Sequence, residues 1–307
     1  MDRFQLEFAA IPRIRWRRAI DFTAAGLMRL VVAFANSLAL LVALGLVLKA
    51  RPILAQKSLL HLLFSSTWHP LQGNFGFYPF IIGTLEVTAM AMLLAVPLCI
   101  LSAIYLSEYA PRRIREWVGP VIDLLAGIPS VVYGLWGVIA IVPLVRALGQ
   151  ALGFATTGYS LLAGAIILAI MVFPIIISVS IEVLRAVPDE ARETALALGA
   201  TKWETVKHVV LRSGLRGILA AVVLGFARAS GETMAVLMVV GNVPRIPASI
   251  FAPAYPLPAL IANNYGEMMS IPLYDSALLL AALVLLLVIA GLNLVARLAL
   301  RRIERGH

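Results

Sequence analysis

An arginine and a glutamate, Arg228 and Glu232, lie four residues apart in an apolar stretch that runs from Gly225 to Asn242. In a helix this spacing places both side chains on one face, one turn apart, where guanidinium and carboxylate can pair. Charged groups in a bilayer are costly, so they usually face a bundle interior or a water-filled path. The guanidinium also matches the geometry of an oxyanion. Two interpretations follow: a structural salt bridge, or an anion site on a transport path.

The composition is that of an integral membrane protein. Of 307 residues, 61% are hydrophobic and 13% are charged, and the mean hydropathy is +0.95. The formal net charge is +9, but the basic residues lie between apolar segments, where they set topology, so we expect no nucleic-acid partner. One cysteine, Cys99, and four histidines without ligand spacing predict no metal site, and no cofactor is expected.

Hydropathy predicts six membrane-spanning helices, each close to the roughly 20 residues needed to cross a bilayer. They cover about 30–48, 80–107, 118–145, 159–181, 218–241 and 276–296. Glycines and Pro129 interrupt the third, which we expect to be kinked or broken. The chain then divides into an N-terminal arm over 1–29, a first span with an external loop over 30–79, a core of five spans over 80–297, and a tail over 298–307.

Loop charge orients these spans. If the N-terminus lies inside, 19 of the 25 lysines and arginines fall in the inner segments and five in the outer ones. The positive-inside rule therefore predicts that both termini and the loop over 182–216 are cytoplasmic.

The loop over 182–216 has the pattern of two helices joined by a tight turn. Pro188 suits the first turn of a helix, and Gly199 occupies the place of a left-handed C-terminal cap. Thr201 and Glu204 have the spacing of a capping box that starts a second helix. By pattern alone, the hairpin either packs on the membrane face or docks another protein.

This hairpin resembles the EAA loop of ABC importer permeases. The segment ETALALG at 193–199, followed nine residues later by VVL at 209–211, is similar to E-A-A-x3-G-x9-I-x-L-P, with Thr194 and Arg212 as departures. In that family the loop is a coupling helix that docks into a groove on a cytoplasmic ATPase. The resemblance implies ATPase-coupling residues at the matching positions. They are Glu193, Ala195, Gly199 and Ala200.

Three further segments resemble the phosphate-specific branch of these permeases. They are LAGIPSVVYG at 125–134, IYLSEYAP at 104–111 and RASGETMAVLMVVGN at 228–242, the last being similar to the PstC type of subunit. The resemblance covers about residues 70–300. It implies an all-α integral membrane protein with the type I ABC importer permease fold, surrounded by lipid in a bacterial or archaeal plasma membrane.

A subunit of this type would form half of a phosphate import path. The resemblance implies a second permease subunit of the PstA type and an external phosphate-binding protein. The sequence contains no G-x4-G-K-[ST] motif, so ATP hydrolysis is expected on a separate cytoplasmic ABC ATPase dimer, and the chain is not expected to be an enzyme.

On this interpretation Arg228 binds the anion on the transport path. Glu232 keeps this binding from becoming too tight, because a conducting site must also release its ligand. Two alternatives remain open: a permease of the same architecture for sulfate or molybdate, and an integral membrane enzyme acting on lipid phosphates. Glu86 and Asp123 lie near the ends of their predicted spans, and the sequence assigns them no role.

Overall fold

The computed structural model describes residues 3–267 and 271–305, with side-chain surroundings at Trp16, 20–267 and 271–298. Within these residues, six helical stretches are long and apolar enough to cross a membrane. They are Ile20–Gln56, Tyr78–Tyr109, Ser130–Ala151, Leu161–Arg185, Lys202–Ser230 and Tyr274–Leu298. The predicted all-α architecture with six spans is confirmed, although several helix boundaries differ from those expected.

The N-terminal part begins with one long helix rather than a separate arm and span. The helix α1, Arg3–Gln56, runs through the expected boundary near residue 30, because the sequence contains no proline between positions 13 and 51 that would stop it. A short helix and a two-stranded antiparallel hairpin follow. They are α2, Leu59–Phe64, β1, Trp68–His69, and β2, Asn74–Phe75.

The predicted third span is broken, as expected, and its first part is a separate helix. The second span is α3, Tyr78–Ile104, extended by a π-helical segment over Tyr105–Tyr109. The next helix is α4, Arg112–Gly127. The residue after it, Ile128, has an extended backbone, because the following Pro129 disfavours a helical conformation at this position. The spanning helix starts only beyond Pro129. It comprises α5, Ser130–Trp136, a π segment, Gly137–Ile141, and α6, Val142–Ala151.

The second half of the chain contains the hairpin and the last spans. Their elements are α7, Leu161–Arg185, α8, Asp189–Ala197, α9, Lys202–Thr205, a π segment, Val206–Val210, α10, Leu211–Ser230, α11, Met234–Val239, α12, Leu257–Asn264, and α13, Tyr274–Arg305. The fifth span was expected over 218–241. Instead it begins at Lys202 and ends at Ser230, with a break before α11.

Within the described residues, the two largest buried apolar clusters pack the helices together. The first lies between α3, α7 and α10 and includes Ala91, Leu168 and Ile176. The second joins the end of α1 to α12, α13 and the β-hairpin, where Trp68 packs edge-on against Phe80 with ring centroids 5.0 Å apart. Many large apolar side chains outside these regions face outwards, which is the arrangement expected beside lipid tails.

Candidate functional sites

The helix that carries Arg228 ends between the two charged residues. α10 stops at Ser230, and the N–H groups of Gly231 and Glu232 donate to the last carbonyls of that helix, each at 3.3 Å. Glycine has a low helix propensity, which favours a break at this point. Within the described residues, Arg228 and Glu232 are not within salt-bridge distance of each other. Of the two interpretations of this spacing, the structural salt bridge between Arg228 and Glu232 is therefore not observed in the described structure.

Each charge is instead placed at a helix end that suits its sign. Arg228 lies in the last turn of α10, where the helix dipole is negative. Glu232 precedes α11, and its Oε1 accepts a hydrogen bond from the N–H of Ala235 at 3.4 Å, at the positive end of that helix. The two groups are therefore stabilised by different helices.

Arg228 lines a cavity of about 230 Å³ beside α7. The other lining residues are Ala126, Met171, Pro174, Ile175, Ser178 and Val179. The Arg228 side chain is exposed, and none of the described residues accepts a hydrogen bond from it. The described residues therefore leave the donors of this guanidinium unused.

A second cavity, of about 310 Å³, continues from the first along α7. Ser178 lines both cavities. Four charged side chains of mixed sign line the second one. They are Arg115, Asp123, Glu182 and Arg185. Asp123 thus belongs to a charged cavity at the end of the bundle that carries the hairpin, which we call the hairpin end.

Glu86 lies elsewhere in the bundle. It lines a cavity of about 550 Å³ with residues of α3 and of the segment 247–250. Its Oε2 is buried without a hydrogen-bond partner among the described residues. The structure therefore places Glu86 and Asp123 in different cavities, and neither of those two cavities contains Arg228.

The hairpin closes with the turn that the sequence predicts. Gly199 has a φ of +87°, which is the left-handed conformation. The N–H of Gly199 donates to the carbonyl of Leu196 at 3.0 Å, and the N–H of Ala200 donates to the carbonyl of Ala195 at 3.1 Å. These two bonds form a Schellman motif, which satisfies the last carbonyls of α8. The predicted glycine cap is confirmed.

The second helix of the hairpin starts with the predicted capping box. The N–H of Thr201 donates to Glu204 Oε2 at 2.8 Å, and the N–H of Glu204 donates to Thr201 Oγ1 at 3.3 Å. Both bonds satisfy N–H groups that the first turn of a helix leaves free.

The hairpin presents apolar side chains outwards. Leu198 is 83% exposed and Trp203 52% exposed. Glu193 is exposed as well, next to Leu196 on the same short helix. The inner face is formed by Val206 and others of the second helix. An exposed patch of large apolar residues beside a carboxylate is typical of a protein-docking surface.

Sequence reasoning missed one ion pair at the hairpin end. Arg192 of α8 lies 3.0 Å from Glu108, in the π segment after α3, and both side chains are largely buried. The two residues are 84 positions apart, and no local pattern connects them. Their proximity depends entirely on how α3, α7 and α8 pack.

Comparison with known proteins identifies relatives over most of the chain. The family described as binding-protein-dependent transport system inner membrane component matches residues 95–306. The phosphate transport system permease protein PstC of Xylella fastidiosa is 39% identical over 257 residues, which cover 79% of each chain. PstC 1 of Mycobacterium tuberculosis is 38% identical over 255 residues, covering 77% of this chain and 75% of that one.

Solved structures share the fold at much lower identity. The inward facing MetNI methionine ABC transporter aligns with a TM-score of 0.55 at 19% identity, covering 78% of this chain and 99% of that one. A bacterial ABC transporter that imports alginate aligns with a TM-score of 0.57 at 16% identity, covering 82% and 89%. The chain therefore belongs to the binding-protein-dependent transport system inner membrane components, among the relatives of PstC, and is a multi-pass protein of the plasma membrane.

Proposed function

We propose that this chain is the permease subunit of an ATP-driven importer of inorganic phosphate. It forms half of the membrane path beside a second permease subunit of the PstA type. A cytoplasmic ABC ATPase dimer drives it, and an external phosphate-binding protein loads it. The observation that carries this proposal is the 39% identity to a PstC phosphate permease across 79% of both chains.

Arg228 is the anion-binding residue of the path. Its guanidinium lines a cavity and lacks a protein acceptor among the described residues, so it can form charge-assisted bonds to phosphate oxygens. Glu232 lies four residues further on and adds a negative charge near the site. This charge limits how tightly the anion is held, because a transport site must release its ligand.

From Arg228 the anion moves along α7 towards the hairpin end. Ser178 lies where the two cavities adjoin, and Arg115 and Arg185 line the second one. Asp123 and Glu182 line it as well. Their carboxylates balance the two arginines, so the exit does not become a deep trap for phosphate.

The hairpin docks on the ATPase. Glu193, Ala195, Gly199 and Ala200 are the coupling residues, and they lie on α8 and the turn that follows it. The exposed Leu198 gives this surface an apolar anchor. On this assignment the hairpin and both chain termini are cytoplasmic, as loop charge predicts.

Transport in reconstituted vesicles tests the substrate. The full complex, with ATP in the compartment that holds the ATPase, is expected to accumulate labelled phosphate in the presence of the binding protein. Excess unlabelled phosphate should abolish the signal, whereas excess sulfate or molybdate should leave it unchanged. Equal competition by sulfate or molybdate would instead identify a permease for another oxyanion.

Thiol labelling tests the orientation. In a Cys99→Ala background, single cysteines replace Ala248 and Lys207, which are both exposed and lie on opposite sides in the proposed topology. In spheroplasts an impermeant maleimide should label the Ala248→Cys variant, and it should reach the Lys207→Cys variant only after permeabilisation. The reverse pattern would overturn the proposed orientation.

A further inference from the structure

The guanidinium of Arg192 forms hydrogen bonds to three different segments of the chain. Its Nη1 donates to the carbonyl of Val187 at 2.5 Å and to Asp189 Oδ1 at 3.0 Å. Its Nη2 donates to the carbonyl of Leu184 at 2.8 Å and to Glu108 Oε1 at 3.0 Å. The side chains of Arg192 and Glu108 are only 17% and 10% exposed. One guanidinium therefore joins α8, the last turn of α7 and the segment that follows α3.

The segment after α3 receives two contacts from the hairpin. It is the π-helical stretch Tyr105–Tyr109, in which Ser107 Oγ donates to Glu108 Oε1 at 3.1 Å and helps to orient that carboxylate. Lys202, at the start of the second hairpin helix, lies with its Nζ 4.6 Å from the centroid of the Tyr109 ring. Both helices of the hairpin thus contact the same five residues.

These polar contacts matter most for α8, because α8 has no buried residue of its own. The second hairpin helix is anchored differently, since Val206 and Val210 are buried against Ile104 and Leu184. α8 carries the proposed ATPase-docking surface but lacks such an apolar anchor. Its position relative to α3 and α7 therefore depends on Arg192.

We propose that Arg192 is a positioning residue that transmits movement of α8 to the adjoining ends of α3 and α7. The inference rests on the proposed function of the hairpin as an ATPase-docking element. When α8 is displaced, the guanidinium of Arg192 pulls on its two acceptors, the Glu108 carboxylate and the Leu184 carbonyl. Without the Arg192 guanidinium, α8 still docks on the ATPase, but its displacement no longer moves α3 and α7.

The substitutions that test this role differ in what they retain. Arg192→Gln removes the charge and the fork, so Glu108 loses its cationic partner. Arg192→Lys keeps the charge but cannot reach carboxylate and carbonyls together, because an ammonium lacks the planar fork. Arg112 supplies a matched control. It forms an ion pair with Glu116 at 2.7 Å on α4, near the same end of the bundle. This pair is exposed, since the side chain of Arg112 is 92% exposed and that of Glu116 is 59% exposed.

The primary measurement is the number of phosphate ions transported per ATP hydrolysed by the reconstituted full complex. Arg192→Gln should co-purify with the ATPase and hydrolyse ATP, yet its transport ratio should fall about tenfold or more. The transport ratio of Arg192→Lys should lie between those of the parent complex and of Arg192→Gln. Arg112→Gln should stay within about twofold of the parent ratio. An Arg192→Gln complex with the parent ratio would overturn the proposal.

A second measurement keeps this inference separate from the proposed substrate. Amide hydrogen exchange over 189–199 in the full complex should become about tenfold faster in Arg192→Gln, and not in Arg112→Gln. If the parent complex transports no phosphate, the proposed function fails, and the exchange result still decides the role of Arg192. Unchanged exchange in Arg192→Gln would mean that α8 is positioned without this side chain.

Discussion

Two arginine–glutamate combinations in this chain behave in opposite ways. Arg192 and Glu108 are 84 residues apart and form a largely buried ion pair at 3.0 Å. Arg228 and Glu232 are four residues apart and are not within salt-bridge distance in the described structure. Sequence spacing favours the second pair, but the helix that would align it ends at Ser230. Helix continuity decides whether neighbouring charges pair.

The difference suits the two proposed roles. Arg192 has a protein acceptor for each arm of its guanidinium and is held in one position. Arg228 lines a cavity and has no acceptor among the described residues, so its hydrogen-bonding capacity is available to an anion. Arg192, bonded to α7, α8 and the segment after α3, is suited to its proposed role of linking these elements. An arginine without a protein acceptor can bind and release a ligand.

The largest expected effect is on uptake in Arg228→Gln. If Arg228 binds the anion, loss of its charge should lower phosphate uptake about thirtyfold or more, which corresponds to about 2 kcal/mol. Arg228→Lys should assemble normally with much reduced uptake, because lysine keeps the charge but loses the bidentate fork. Reconstituted vesicles with equal complex content provide the measurement. Near-parental uptake by Arg228→Gln would mean that the anion binds elsewhere on the path.

Double-mutant cycles on stability compare the two combinations directly. For Arg192→Gln and Glu108→Gln we expect a coupling energy of about 1–3 kcal/mol, because each single change removes the charged partner of a largely buried group. For Arg228→Gln and Glu232→Gln the effects should add to within about 0.5 kcal/mol. Unfolding of the purified permease in denaturant measures both cycles. Strong coupling between positions 228 and 232 would restore the structural salt bridge as an explanation.

Substitution of the hairpin glycine should have a smaller, local effect. Gly199→Val places a β-branched residue at a φ of +87°, which costs about 1–2 kcal/mol. Gly153→Val is a matched control, because its φ is +83° and a Cβ at either glycine meets no atom within 4 Å. Both variants should lose similar stability in denaturant.

Only the Gly199→Val variant should also co-purify less ATPase and transport less phosphate, since Gly153 follows α6 and lies outside the hairpin. Normal ATPase binding and uptake in Gly199→Val would show that the hairpin turn has a structural role alone.

The smallest expected effect is that of Arg112→Gln. The Arg112–Glu116 pair is highly exposed, and such pairs contribute about 0.3–0.5 kcal/mol. The loss of stability should disappear in high salt, where exposed charges are screened. If Arg112→Gln lost as much stability as Arg192→Gln, burial could not explain why the Arg192 pair is expected to matter more than the Arg112 pair.

The sequence by itself predicts the features that depend on composition or on a few neighbouring residues. An apolar content of 61% is sufficient for the membrane class, and the Gly199 turn and the Thr201 capping box follow from backbone preferences within one helix turn. The break inside the predicted third span follows from Pro129 for the same reason. Each of these features is local, so packing is not needed to predict it.

Tertiary structure decides the relations between charged groups. Apolarity extends past Gly231, so hydropathy gives no sign that α10 ends there and that Arg228 lacks Glu232 as a partner. The contact of Arg192 with Glu108 depends on the packing of α3 against α7, and α8 follows directly after α7. A buried ion pair between distant residues forms only where the packed helices bring both groups together and satisfy their remaining bonds, and no short stretch of sequence encodes that condition.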